Sequence, residues 1–203
     1  LEYIITNEFH NKTVEQFLKH LEFPHQAIVQ LKKTQEGILR NGIWAYTSER
    51  LISGDTLTLH LVEEVSQSSI EAIYTPLTIV YEDEDLLVID KAANMPIHPS
   101  MNHHEGTVAN GLMYYFHEQG KEFTFRAINR LDRDTSGLTM VAKHLLSGGI
   151  LSRQVSTKEI KRTYRAICHG LVPENGTIDA PIARAADSTI ERCVDYERGE
   201  RAV

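Results

Sequence analysis

Residues 128–144 read INRLDRDTSGLTMVAKH, densely charged at one end and apolar at the other. The polar part, from Asn129 to Gly137, carries both signs of charge and passes directly into Leu138–Val141, a short run of strand character. A loop set on the end of a sheet is where a rigid scaffold displays reactive groups. Three chemistries compete for it. Asp132, Asp134, Ser136 and Gly137 fit four positions of a calcium-binding helix–loop–helix. That reading fails, because Lys143 occupies the place of the bidentate glutamate and a strand follows where a helix is required. Asp132 and Asp134 could form the carboxylate pair of a glycosidase, but Arg130 and Arg133, flanking Asp132, suit an anionic substrate better than a neutral sugar. The third reading is a single carboxylate working beside bound phosphates.

Working outward, LTIVYEDEDLLVIDK (77–91) predicts two strands joined by the acidic turn Glu82–Asp85, a cluster more often solvated than metal-bound. NMPIHPS (94–100) contains two prolines and is expected to be extended and irregular. Helical spacing returns at Val108–Phe116, and strands are expected at Tyr164–Cys168 and over 192–203, the latter turning at Gly199. Upstream, Thr13 and Gln16 make a capping box before Val14, Phe17, Leu18 and Leu21. Pro24 opens a second helix with Ala27, Ile28 and Leu31 inward and Lys32 and Lys33 outward. ILRNGIWAY (38–46) is a hairpin signal about Asn41-Gly42, and Gly54-Asp55 turns into the alternating strand LTLHLV. Residues 1–65 are thus expected to be a small module, 66–76 a linker, and 77–203 a second domain. Helices and strands without strict alternation predict an α+β fold with a mixed, mostly antiparallel sheet.

The chain has 203 residues, 41% hydrophobic and 24% charged, with a net charge of −7. That balance argues against a nucleic-acid partner until its distribution is read. Ten basic and four acidic residues lie between Lys121 and Arg165, a local +6 that leaves −13 on the rest. Such a patch attracts a polyanion to one face. There is no apolar run of 18 residues and no secretory leader, and two cysteines, Cys168 and Cys193, make no disulfide framework; a cytoplasmic protein is expected. His98, His103 and His104 match no standard metal spacing, so no metal is expected, and Ser147-Gly148-Gly149 lacks the lysine of a phosphate loop.

RLDRDTSGL closely resembles the signature HRLDxxTSGL of the RluA/RluD-type RNA pseudouridine synthases. IVYEDEDLLVIDKAANMPIHPS is similar to that family's opening strands, KRTYRAICHG to its K-x-Y-x-A-x-x-x-G segment, and GTIDAPIAR to its G-x-I-x-x-P-I segment. The two helices and hairpin in front resemble an S4 RNA-binding module, a common companion in this family. The resemblance implies a cofactor-free isomerase that detaches a uracil from C1′ of a uridine in ribosomal or transfer RNA and rejoins it through C5. It makes Asp132 the catalytic carboxylate and Arg130 the arginine that meets the displaced nucleotide. Tyr164 becomes the active-site tyrosine, and Asn129 and Arg133 lie alongside the substrate. Asn129 stands where the family mostly has His, while Ala92 and Asn94 replace its usual Pro and Gly; Asn tolerates a positive φ. The family's basic partner of the aspartate and a further core strand are expected after Val203, so the chain reads as part of a longer protein with weak or no activity alone. The rival is a non-catalytic RNA-binding protein that keeps the synthase fold.

Overall fold

A computed structural model describes residues 1–62, 69–100, 104–186, 188 and 191–203. The chain divides into two compact units, 1–161 and 162–203.

The first unit begins with β1 (Glu2–Ile4), a 3-10 turn, α1 (Val14–His20) and α2 (His25–Lys33), followed by β2 (Ile38–Arg40), β3 (Ile43–Trp44) and β4 (Thr56–Leu59). Thr13 Oγ1 accepts from Gln16 N while Gln16 Oε1 accepts from Thr13 N, which satisfies two orphan donors at the start of α1. Asn41 and Gly42 both take positive φ (52° and 77°), the backbone a two-residue hairpin needs between twisted strands. The four strands pair antiparallel in the order β1-β4-β2-β3. Val14, Phe17, Leu18, Ala27, Ile28 and Leu31 from the helices meet Ile38, Leu57 and Leu59 from the sheet in one closed cluster. Each such leucine or isoleucine contributes roughly 1.5–3 kcal/mol by leaving water.

A second core forms around β5 (Thr78–Glu82), β6 (Leu86–Lys91), α3 (Val108–His117) and β7 (Gly137–Ala142). The strands run antiparallel in the order β5-β6-β7. The acidic turn is structured from within: Asp83 Oδ1 accepts from both Asp85 N and Leu86 N at 2.8 Å. Val108, Leu112 and Phe116 of α3 cover Leu87, Ile89 and Val141.

Helix α4 (Leu145–Ser156) follows β7 in a stretch for which the sequence suggested no helix. His144 caps it, its Nδ1 accepting from Ser147 N while Nε2 meets Asp85. Its glycine pair has a packing reason. A Cβ at Gly149 would lie 2.3 Å from Pro24 at the head of α2, so α4 can cross there only without a side chain.

The second unit holds one hairpin, β8 (Ile182–Arg184) with β9 (Arg192–Val194). One expectation needs correction. The strand expected over Tyr164–Cys168 is irregular, and residues 161–179 are all exposed; among the described residues no segment pairs with it, and a strand without a partner leaves its amides unmatched. The chain over 192–203 turns at Gly199 as expected: β9 ends at Val194, the turn spans Asp195–Gly199, and Glu200 returns to pair with Ile182.

Candidate active site

The site grows from the end of β6. Period-two alternation sends Leu87, Ile89 and Lys91 to the buried side, so a lysine follows two aliphatic residues into the core. Lys91 is 1% exposed. Its ammonium donates 2.9 Å hydrogen bonds to the carbonyls of Ala92, Met95 and Arg133, filling all three donor positions. The first two belong to the turn after β6 and the third to the charged loop before β7. One cation therefore ties the two segments together, and Met95 N adds a 3.1 Å bond to the Arg133 carbonyl.

Asn94 takes φ +61° in that turn, as its side chain type allows. Arg133 Nε donates to Asn94 Oδ1 at 2.7 Å, with Nη2 on the same oxygen, and the guanidinium lies 3.9 Å from Asp134. Asn129 is 7% exposed. Its amide bonds the main chain of β7, accepting from Met140 N at 2.8 Å and donating to Leu138 O at 3.2 Å. Thr139 Oγ1 closes the lattice onto Asn129 O. Gly137, φ +118°, makes the exit from loop to strand, a conformation that a β-carbon would strain.

On this braced loop Asp132 and Arg130 face solvent. The Asp132 carboxylate accepts no hydrogen bond among the described residues, although its main-chain oxygen accepts from Thr135 N. Burial pushes Lys91 below the ordinary lysine value, while Asp134 and Asp132 act in the opposite direction. Arg130 makes no hydrogen bond or ion pair among the described residues. It lines an open cleft of about 440 Å³ with Ile97, His98, Phe125, Arg126 and Ala127. A charged carboxylate, an uncommitted guanidinium and a cleft with aromatic walls suit a phosphate-bearing ligand with a flat ring.

These residues lie where a family model described as RNA pseudouridylate synthase matches, over residues 85–203. The chain is 36% identical over 192 residues to the protein named uncharacterized RNA pseudouridine synthase YjbO of Bacillus subtilis, covering 94% of this chain and 68% of that one. The chain belongs to the RNA pseudouridylate synthase family. It is also 41% identical over 132 residues to ribosomal large subunit pseudouridine synthase D of Pseudomonas aeruginosa, covering 65% of this chain and 41% of the relative. A solved human RNA pseudouridylate synthase domain-containing protein 1 aligns at 26% identity and TM-score 0.49, over 66% of this chain and 49% of that one. The chain thus spans about two thirds of the first relative and about half, or less, of others it matches, such as a second Bacillus subtilis protein at 49%.

Within this family member, Asn129, Arg130, Asp132 and Arg133 share one loop, while Tyr164 lies in the second unit, 56% exposed. Lys91 was missed at the sequence level, although the alternation Leu87, Ile89, Lys91 was there to be read. His103 lies outside the described residues, and the ring nitrogen Nδ1 of His98 is 3.0 Å from Pro99 O. No helix among the described residues is long and apolar enough to cross a membrane.

Proposed function

We propose that the chain carries the catalytic portion of an enzyme that isomerises uridine to pseudouridine in structured RNA, ribosomal or transfer, without a cofactor. The observation that supports it most is the Asp132 carboxylate, exposed on a loop held from behind by Lys91 and, like the neighbouring Arg130 side chain, without a hydrogen bond among the described residues. In this reading the ionised carboxylate attacks, or stabilises, C1′ as the N1–C1′ bond breaks. The uracil turns while bound and forms the C5–C1′ bond. C5 then gives up its proton and N1 ends protonated, so atoms balance with no outside reagent.

The target base must leave its stack, and Arg130 meets the phosphates of the displaced nucleotide. Tyr164 stacks on the uracil and assists the final proton transfer. Asn129 and Arg133 lie alongside the substrate and also hold the loop, with polar atoms engaged by β7 and Asn94. Residues 1–65 serve as an S4-like RNA-binding module joined by the linker 66–76 to the synthase domain 77–203.

The test uses the full-length protein with ribosomal and transfer RNA transcripts, pseudouridine being mapped by chemical labelling and primer-extension stops. Asp132→Asn is expected to abolish the signal while RNA affinity changes less than about twofold, within ~0.4 kcal/mol. Wild-type turnover in the Asn variant overturns the assignment of Asp132. RNA binding without any product from the wild type would favour the non-catalytic reading.

A further inference from the structure

Three cavities of the first unit share one side chain. Arg126 lines the 440 Å³ cleft beside Arg130, a 420 Å³ cavity with Pro24, Gln26 and Ser152, and a 460 Å³ cavity with His25, Gln30 and Lys33. They therefore adjoin, and the hollow they make runs from the Asp132 loop to α2, with α4 along its side. Among the described residues its lining carries Arg130, Arg126 and Lys33 and no carboxylate. The chain has 28 acidic residues and a net charge of −7, so a lining of that kind among the described residues is a local departure. Several uncharged members, Gln26, Gln30 and Ser152, are hydrogen-bonding side chains, and Gln30 reaches the carbonyl of Val62. A cationic track with polar walls matches a phosphodiester strand, whose charges are regularly spaced and whose sugars offer hydroxyls.

We infer that this hollow carries the RNA strand that continues from the target uridine, leading it from the Asp132 loop onto α2 of the N-terminal module. The inference rests on the proposed RNA-modifying reading and extends it. The catalytic loop supplies chemistry at one nucleotide, and the hollow supplies affinity for its neighbours. Gly148 and Gly149 of α4 line the same hollow beside Pro24.

The experiment uses the full-length protein and a transcript that it modifies. Gln26→Glu combined with Ser152→Glu places carboxylates in the track at exposed positions outside the catalytic machinery. The double variant is expected to raise KM for the transcript by about tenfold at low salt with kcat unchanged, and Lys33→Ala to reduce the slope of log Kd against log salt by about 1. Gln26→Lys is expected to tighten binding, a change of sign that misfolding cannot mimic. Wild-type KM and salt slope in these variants overturn the inference, as does equal competition by polyglutamate of matching charge. A wild-type protein that makes no pseudouridine defeats the proposed function instead, so the two failures are distinguishable.

Discussion

Among the described residues of the first unit two charges are buried, and they are held in opposite ways. Asp55, in the turn before β4, is 7% exposed and has a partner for its charge: Arg40 Nε lies 2.6 Å away, Asn41 Nδ2 and Ile52 N at 2.8 and 2.7 Å. Burial alone would raise its carboxyl, yet the Ile52 amide, Arg40 and Asn41 outweigh burial and hold it below the ordinary aspartate range. Lys91 is as deeply placed but meets three neutral carbonyls, with Asp134 and Asp132 acting only through space. The first arrangement neutralises a charge where it sits and closes a hairpin. The second leaves a positive charge in place and spends its hydrogen bonds on aligning two loops. The comparison separates a stabilising pair from a positioning cation.

Breaking the second arrangement has the larger expected effect. Lys91→Met keeps the length and removes the ammonium, leaving three buried carbonyls without that donor at a cost on the order of 3 kcal/mol. For a chain of this size that lowers Tm by about 10 °C in a thermal melt. Because the loop bearing Asp132 loses its brace, kcat of the full-length enzyme is expected to fall by about 10²-fold while KM for RNA changes little. The native pKa of Lys91 lies below its unfolded value, so the unfolded chain binds more protons in that interval and this group adds stability as pH rises. The Met variant should lack that alkaline gain in urea titrations.

Asp55→Asn is the matching test in the module. It is expected to cost about 2 kcal/mol at neutral pH with kcat unchanged. Here the folded pKa is depressed, so the contribution is present above the ordinary aspartate value of about 3.9 and is lost as pH falls below it. The stability gap between wild type and variant should therefore close in acid. Equal losses of kcat in the Lys91 and Asp55 variants would erase the distinction between the two charges.

The smallest effect concerns the neighbouring glycines of α4. A Cβ at Gly148 would meet only Arg126 Cδ at 3.3 Å and Ala142 Cβ at 3.6 Å, so Gly148→Ala should gain up to about 1 kcal/mol of helix propensity. At Gly149 the same methyl meets Pro24 at 2.3 Å, and Gly149→Ala should lose about 1 kcal/mol net. Opposite signs in urea unfolding sharpen the contrast, and equal signs refute the packing account.

Local rules made part of this fold legible. The Thr13 capping box, the Asn41-Gly42 turn and the positive φ of Asn94 follow from side chains acting on their own backbone, and each is present. Helix α4 was hidden because Ser147-Gly148-Gly149 reads as a turn, whereas its glycines answer to Pro24, far away in sequence. Thr107 closes a capping box on Asn110, an N3 residue outside the usual Glu or Gln. Composition at 164–168 is strand-prone, but pairing is a property of neighbours and not of the segment. At the site, the loop of charged residues could be read from its order; the hydrogen bonds that engage Asn129 and Arg133 within the protein could not. Their engagement depends on β7 and on the turn at Asn94, elements that no local pattern ties to them.

The open setting of Asp132 has a consequence for how turnover would be timed. In water its carboxylate is well hydrated and a sluggish nucleophile, and the loop itself offers nothing to displace that hydration. On the proposed reading, an arriving nucleotide strips those waters away. The reactive group then stays quiescent until the correct molecule forms the roof over it, and the substrate doubles as the gate.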